Sequence, residues 1–309
     1  LMAFSFAISG VLLLETKVLF GRSNWQVVIP ARLILVIMLI AFFASSAPFS
    51  QQLFGTSGRN TGFLTYFAFG TLFIASAIAT NWSMVKYFIV AVAGALGVNA
   101  IYGFFQAMGK DPFKWSNPYS PVIGTLGNPN FSAAFLGMGV AFTLPFILSK
   151  STNINYRILS GAYILLALYD ILKSDAQQGL IVSALSVGLV GFFWLRSKVK
   201  NPFIKYGYLA LGGIATLVGI LGTFQKGPLS SLLYKPSVTY RGDYWHAGLV
   251  MIKNHPWFGV GLDSYGDWYR ASRTLAATVR RGPSTVSNAA HNVFIDIGAT
   301  AGIFALIAY

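Results

Sequence analysis

Long apolar runs with short polar interruptions dominate the chain. Stretches such as LILVIMLIAFFA at 33–44 do not alternate between apolar and polar. A barrel strand would alternate at period two over about 10 residues. Run length instead predicts nine membrane-spanning helices, near 1–14, 26–46, 61–80, 84–108, 130–148, 157–173, 178–195, 206–224 and 291–309. The pattern breaks once, at 225–290, where a polar, aromatic-rich segment interrupts the spans. The expected organisation is therefore all-α: a polytopic bundle over 1–224, a long outer loop over 225–290, and a further span over 291–309.

The loop has local structure of its own. SVTYRGDYWHAGLVMIKNHPWFGVGLDSYGDWYRASRTL reads as helix, break, helix. Ser237 is placed to cap a helix whose apolar rhythm runs from Tyr240 to Lys253 and ends at His255-Pro256. Arg241, Trp245 and Leu249 share a face at i, i+4, i+8, which suits a helix lying along the membrane surface with Trp245 at headgroup depth. GVG at 259–261 predicts a tight connection. A second helix over Asp267–Leu275 would present Arg270 and Arg273, with Arg280 and Arg281 following. Upstream, Asn128-Pro129-Asn130 reads as a turn with Asn130 capping the next span; a contact of these amides with sugar hydroxyls is the lesser reading.

Composition agrees with the pattern. The 309 residues are 55% hydrophobic and 10% charged, with mean hydropathy +0.63; soluble domains carry about 25% charged residues. The absence of cysteine excludes disulfides, Cys-ligated zinc and thiol catalysis. The first apolar run has no basic residue before it and is a poor signal peptide. The chain starts at Leu1 and stops at Tyr309 inside an apolar run, so further spans are expected beyond the C-terminal end.

The net charge of +14 divides unevenly between the two sides. One alternating set of connections holds Lys17, Arg22, Lys86, Lys150, Arg157, Arg196, Lys198, Lys200 and Lys205 against Glu15 alone, which marks the cytoplasmic side. The opposite side then carries 47–60, 109–129, 174–177 and 225–290. The last of these has eight basic residues and three acids. Long outer segments escape the positive-inside count, so this excess points to an anionic partner. Arginine outnumbers lysine here, and its guanidinium fork suits phosphate oxygens. Pairing with Asp243, Asp263 and Asp267, or with lipid headgroups, is the structural alternative. Asp263 and Asp267 form only a weak metal signal, so neither a metal nor another cofactor is expected.

Among the three histidines, His291 opens the last span, expected in its first turn near the positive dipole end. That field and nearby arginines favour the neutral imidazole, the form a general base needs. Capping of the span, or a bond to Asn288, is the structural alternative. His246 and His255 read as structural. Asp170 and Asp296 are ionisable residues inside spans and so functional candidates; Asp296 follows Asn292 by four, at hydrogen-bonding distance on a helix. Gly298 and Gly302 have the spacing of a close-packing face.

GTLGNPNFSAAFL at 124–136, a basic cytoplasmic loop, YRGDYWHAGLVMIKNHPWFGVGLDSYG and AHNVFIDIGATAGIFALIAY follow one another in this order. Over roughly 120–309 the chain resembles the O-antigen ligase and polymerase superfamily, which includes protein O-oligosaccharyltransferases. The resemblance implies a metal-independent glycosyltransferase in the bacterial cytoplasmic membrane with its active site on the outer face. It implies an undecaprenyl-pyrophosphate-linked glycan as donor, a lipid, glycan or protein hydroxyl as acceptor, and membrane lipids but no nucleic acid as partners. The family's essential arginine and histidine match Arg241 and His291. A further loop arginine has Arg270, Arg273, Arg280 and Arg281 as candidates. Many members show Ser-Arg-Gly at the outer start of the span before the basic loop; SDAQQG stands there in this chain, without the arginine. Direct displacement of pyrophosphate with base help would invert the anomeric centre. A transporter or flippase for lipid-linked saccharide is the competing class. It would be expected to show inverted repeats and mid-membrane charges, whereas polar chemistry is concentrated here in one outer loop.

Overall fold

The computed structural model describes residues 25–79, 82–115 and 120–309. The predicted span at 1–14, with Glu15, Lys17 and Arg22, lies outside the described residues. The fold is an all-α polytopic bundle. Its apolar helices are α1 (Trp25–Ala44), α3 (Phe63–Ala79), α4 (Trp82–Ala107), α5 (Pro129–Leu148), α6 (Ile154–Lys173), α7 (Gln177–Lys198), α8 (Pro202–Thr223) and α13 (Val293–Ala308). Short helix α2 (Phe49–Phe54) lies in the connection between α1 and α3. The large loop carries α9 (Ser230–Leu233), α10 (Pro236–Asn254), α11 (Tyr265–Ser272) and α12 (Leu275–Arg281). Four stretches, Ser83–Ala107, Pro129–Leu148, Gln177–Lys198 and Pro202–Thr223, are long and apolar enough to cross a membrane. Shorter apolar helices cover Val28–Ala44, Phe63–Ala77 and Val293–Ala308.

Asparagine starts many of these helices. Asn128, Asn153, Asn201 and Asn292 each turn a side-chain oxygen onto backbone N–H groups of the first turn. Those N–H groups have no intrahelical acceptor, and in an apolar medium an unmet donor is expensive. Asn130 was expected to cap α5; Asn128 does so, because Pro129 is preorganised for the first helical position and moves the cap one residue ahead of it. Likewise α10 begins at Pro236 with Lys235 as its flank, which leaves Ser237 inside the helix.

The described residues fall into two compact units, one over 82–234 and one over 25–79 with 235–309. In the first, α5 packs against α6 and α7 through small residues: Gly137 lies on Gly179 and Ser183, and Ser186 Oγ donates to the Gly137 carbonyl at 3.0 Å. The irregular segment ahead of α5 is held by α4 side chains. Gln106 Oε1 accepts from the Ile123 and Gly124 amides, and Asn99 Oδ1 accepts from the Thr125 amide and hydroxyl. Asp170 is fully buried in this unit, pressed against Gly103 of α4.

The second unit joins the large loop from Lys235 onward to α1, α2 and α3. Met38, Ala41 and Phe42 of α1 pack with Leu262 of the loop and Ile297, Ala301 and Ala305 of α13. The α10 face Tyr244, Ala247, Gly248 and Met251 is buried against α11 and α13. This helix is therefore more than a surface float: its buried residues fall at i, i+3, i+4, i+7, a core-facing stripe. Trp245 is half-buried against that core, while Arg241 and Leu249 stay exposed.

A break in α13 locks the loop down. Gly302 has φ 86°, so it does not continue a helical small-residue face as expected. The carbonyls freed near it take N–H donors from the GVG connection: Val260 N donates to Ala299 O at 2.8 Å and Gly261 N to Thr300 O at 3.1 Å. Ile303 N returns a bond to Pro256 O at 2.7 Å. A Cβ on Gly259 would come within 2.4 Å of the Thr300 carbonyl carbon, so only glycine allows this approach.

Candidate active site

His291 sits just outside α13 rather than in its first turn. Asn292 is the N-cap, and His291 precedes it in the left-handed region at φ 53°. The expected Asn292–Asp296 side-chain bond does not form. Asn292 Oδ1 is occupied by the Phe294 and Ile295 amides, and Asp296 Oδ1 reaches back to the Ala290 amide at 2.9 Å. Both groups thus serve the turn that carries the histidine.

Around the imidazole, Tyr244 of α10 places its ring at 5.5 Å between centroids. The residue remains accessible to solvent, yet neighbours enclose the ring enough for desolvation to lower its pKa. The Arg241 cation lowers it further, Asp296 opposes, and Arg59 adds a smaller push in the same direction. Neutral imidazole at pH 7 is the outcome, as a proton acceptor requires.

The loop arginines separate into two kinds. Arg273 donates to the carbonyls of Gly282 (3.3 Å), Thr285 (2.9 Å) and Pro283 (2.7 Å), which ties α12 and the segment after it to the end of α11. The single helix expected over Asp267–Leu275 is broken there: Arg273 is the C-cap of α11 and Thr274 caps α12. Arg280 forks onto both oxygens of Asp243, at 2.7 and 3.2 Å. Arg281 lies over the Tyr240 ring at 4.3 Å and donates to the Tyr244 hydroxyl. Arg241 and Arg270 are exposed, with no hydrogen bond or ion pair among the described residues. Their guanidiniums are the ones left open to a ligand.

Asn128 and Asn130 lie in the other compact unit. The Asn128 oxygen is taken by the Asn130 and Phe131 amides, and Asn130 is exposed. His255 caps α10 and meets Trp268 edge-on at 4.6 Å, a structural place. Asp263 is buried and engaged by the Thr56 amide and hydroxyl, by Thr61, and by Arg59 at 3.0 Å; Asp267 accepts from Gln51 at 2.6 Å. These partners take up the two carboxylates that formed the weak metal signal. No three His, Asp or Glu side chains gather at metal-binding spacing among the described residues.

Arg59 and Gln51 are the residues that sequence reasoning passed over. Both come from the connection between α1 and α3 and reach more than 200 positions along the chain. The available signal was a lone arginine in GTSGRNTG, in a connection that the charge count assigns to the less basic side.

Comparison with known proteins bears on this site. Residues 162–309, just under half of the chain, match the family model described as O-antigen ligase. The match covers α7, the large loop and α13, and it supports the resemblance to the O-antigen ligase and polymerase superfamily. No curated protein and no solved structure matches the chain.

Proposed function

With the second half of the chain matched to O-antigen ligases, we propose that this protein is a membrane glycosyltransferase. It moves a glycan from undecaprenyl pyrophosphate to an acceptor hydroxyl on the outer side of the bacterial cytoplasmic membrane. One observation carries the proposal: His291 stands accessible in a left-handed turn, with burial and the Arg241 charge disfavouring its protonation. An imidazole that needed only to cap a helix would not require this placement, since Asn292 does the capping.

In this mechanism His291 takes the proton from the acceptor hydroxyl as its oxygen attacks the anomeric carbon. The bond from that carbon to the pyrophosphate oxygen breaks, and the anomeric centre inverts. Arg241 stabilises the charge developing on the leaving pyrophosphate, with Arg270 as the second open guanidinium. Trp245, half-buried on α10, supplies an apolar wall. Arg273, Arg280 and Arg281 support the loop through their present partners. No divalent metal takes part, because fixed guanidinium charge supplies the neutralisation.

The test uses full-length protein in liposomes with a fluorescent undecaprenyl-pyrophosphate glycan and lipid, glycan and peptide acceptors, with and without EDTA. Product from the wild type, its loss in His291→Ala and Arg241→Ala with the fold intact, and indifference to EDTA are expected. Movement of the glycan across the bilayer without transfer to any acceptor would instead favour a transporter.

A further inference from the structure

We propose that Arg59 is a positioning residue for His291, clamping the backbone in front of it from outside the large loop. The inference rests on His291 being the base of the proposed reaction, and it brings the connection between α1 and α3 into the site. Three observations converge on it.

The first is the turn itself. A non-glycine residue in the left-handed region carries backbone strain and persists only where its surroundings hold it. Next is the hold on that turn. Arg59 donates to the Asn288 carbonyl, three residues before the histidine, and Asp296 accepts from the Ala290 amide at 2.9 Å. The approach to His291 is thus gripped on a carbonyl by one charged side chain and on an amide by another.

Third is the seating of Arg59. Its Nε lies 3.0 Å from Asp263 Oδ1 and donates to Thr61 Oγ1 at 2.8 Å. Asp263 is itself buried and fixed by the Thr56 amide at 2.6 Å and the Thr61 hydroxyl at 2.6 Å. The guanidinium is therefore a rigid strut, one edge on Asp263 and the other on the Asn288 carbonyl. A lysine has one ammonium where this strut needs a fork.

The charges facing the imidazole come from each neighbouring element: Arg241 from α10, Asp296 from α13 and Arg59 from the connection between α1 and α3, with Tyr244 as the aromatic neighbour. Removing the Arg59 cation also leaves Asp263 without its counter-charge. Loss of that cation favours the protonated imidazole.

The experiment follows the three histidines by NMR in full-length protein labelled with 13C at imidazole Cε1, in lipid nanodiscs. The His291 signal is assigned by its loss in His291→Gln. In Arg59→Gln the His291 midpoint is expected to rise, since a cation that disfavours the imidazolium is gone, and the acid limb of the transfer profile should rise with it. Arg59→Lys should return the midpoint but not the full rate, because charge is restored without the fork. Wild-type transfer at every pH in a folded Arg59→Gln overturns the proposal, whatever happens to the midpoint. Reduced transfer whose pH profile does not follow the shifted midpoint keeps the clamp and instead removes His291 from the role of base. If Arg59→Gln does not fold, Arg59→Lys decides: wild-type transfer at every pH overturns the clamp, and reduced transfer around a wild-type midpoint supports it.

Discussion

Two apolar helices of this protein begin with nearly the same turn. Ahead of α5 stand Gly127 and Asn128; ahead of α13 stand His291 and Asn292. The asparagines share one conformation, φ −145° and ψ 125° against φ −148° and ψ 114°, and each caps two amides of its helix. The residues before them are both left-handed, at φ 66° and 53°. Glycine adopts that conformation without steric cost, whereas an L-residue pays about 1–2 kcal/mol, histidine being among the more tolerant. The turn before α5 shows what the backbone prefers. The turn before α13 departs from that preference at the residue whose side chain has chemistry to offer.

Substitution of His291 tests that contrast most sharply. In His291→Gly, transfer should fall by a factor on the order of 10²–10⁴, the usual worth of a positioned acid–base group. The thermal midpoint should hold or rise, since the left-handed strain is relieved. Gly127→Ala should do the opposite: about 1 kcal/mol less stable, with transfer retained, because open space surrounds the position where its Cβ would stand. A loss of fold in His291→Gly would show that the imidazole is structural and would end the comparison.

Arginine substitutions come next in size. Arg241→Ala should slow transfer by about 10²–10³ with little change in stability, as for loss of a transition-state charge contact. Arg273→Ala should behave the other way, lowering the thermal midpoint through three abandoned carbonyls. Equal effects of the two on turnover at constant stability would contradict the division of the loop arginines into open and engaged.

The pH profile should show a smaller effect. A base must be neutral to act, so transfer should fall as pH drops through the His291 pKa. Burial and then Arg241 hold that pKa below the ordinary imidazole value, so the acid limb should lie below about 6.5. An acid limb above that value in the wild type would assign the titration to another group.

The two caps give the smallest expected change. Asn128→Ala and Asn292→Ala should each cost about 1 kcal/mol, measured by thermal unfolding. Only Asn292→Ala should also reduce transfer, because only its turn carries the histidine. Equal retention of transfer in both would mean that the turn before α13 tolerates loosening.

Much of the frame was legible in the chain. Apolar run length located the described apolar helices to within a few residues, because hydrocarbon favours one length and demands internal hydrogen bonding. His291, Arg241 and the loop they belong to also stood out by residue type and placement. What misled was local. Asn130 and Ser237 were read as caps without allowing for the proline beside each, which sets the first helical turn. Gly302 fitted a helical small-residue face by spacing, but spacing does not record that a neighbouring backbone, Pro256 to Gly261, takes over the hydrogen bonds of the broken helix.

By itself the sequence determined the class of the protein, the number and order of the described apolar helices, and the one segment where polar chemistry gathers. Those follow from hydrophobic free energy and local backbone sterics, which act over neighbouring residues. Tertiary structure alone decided which arginines stay open and which are spent on Asp243, Tyr240 and backbone carbonyls. It also decided that Arg59, from the other end of the chain, reaches the turn before His291. Charge pairing and desolvation depend on distance through space, and a linear spacing of more than 200 residues carries no trace of a 3.0 Å contact.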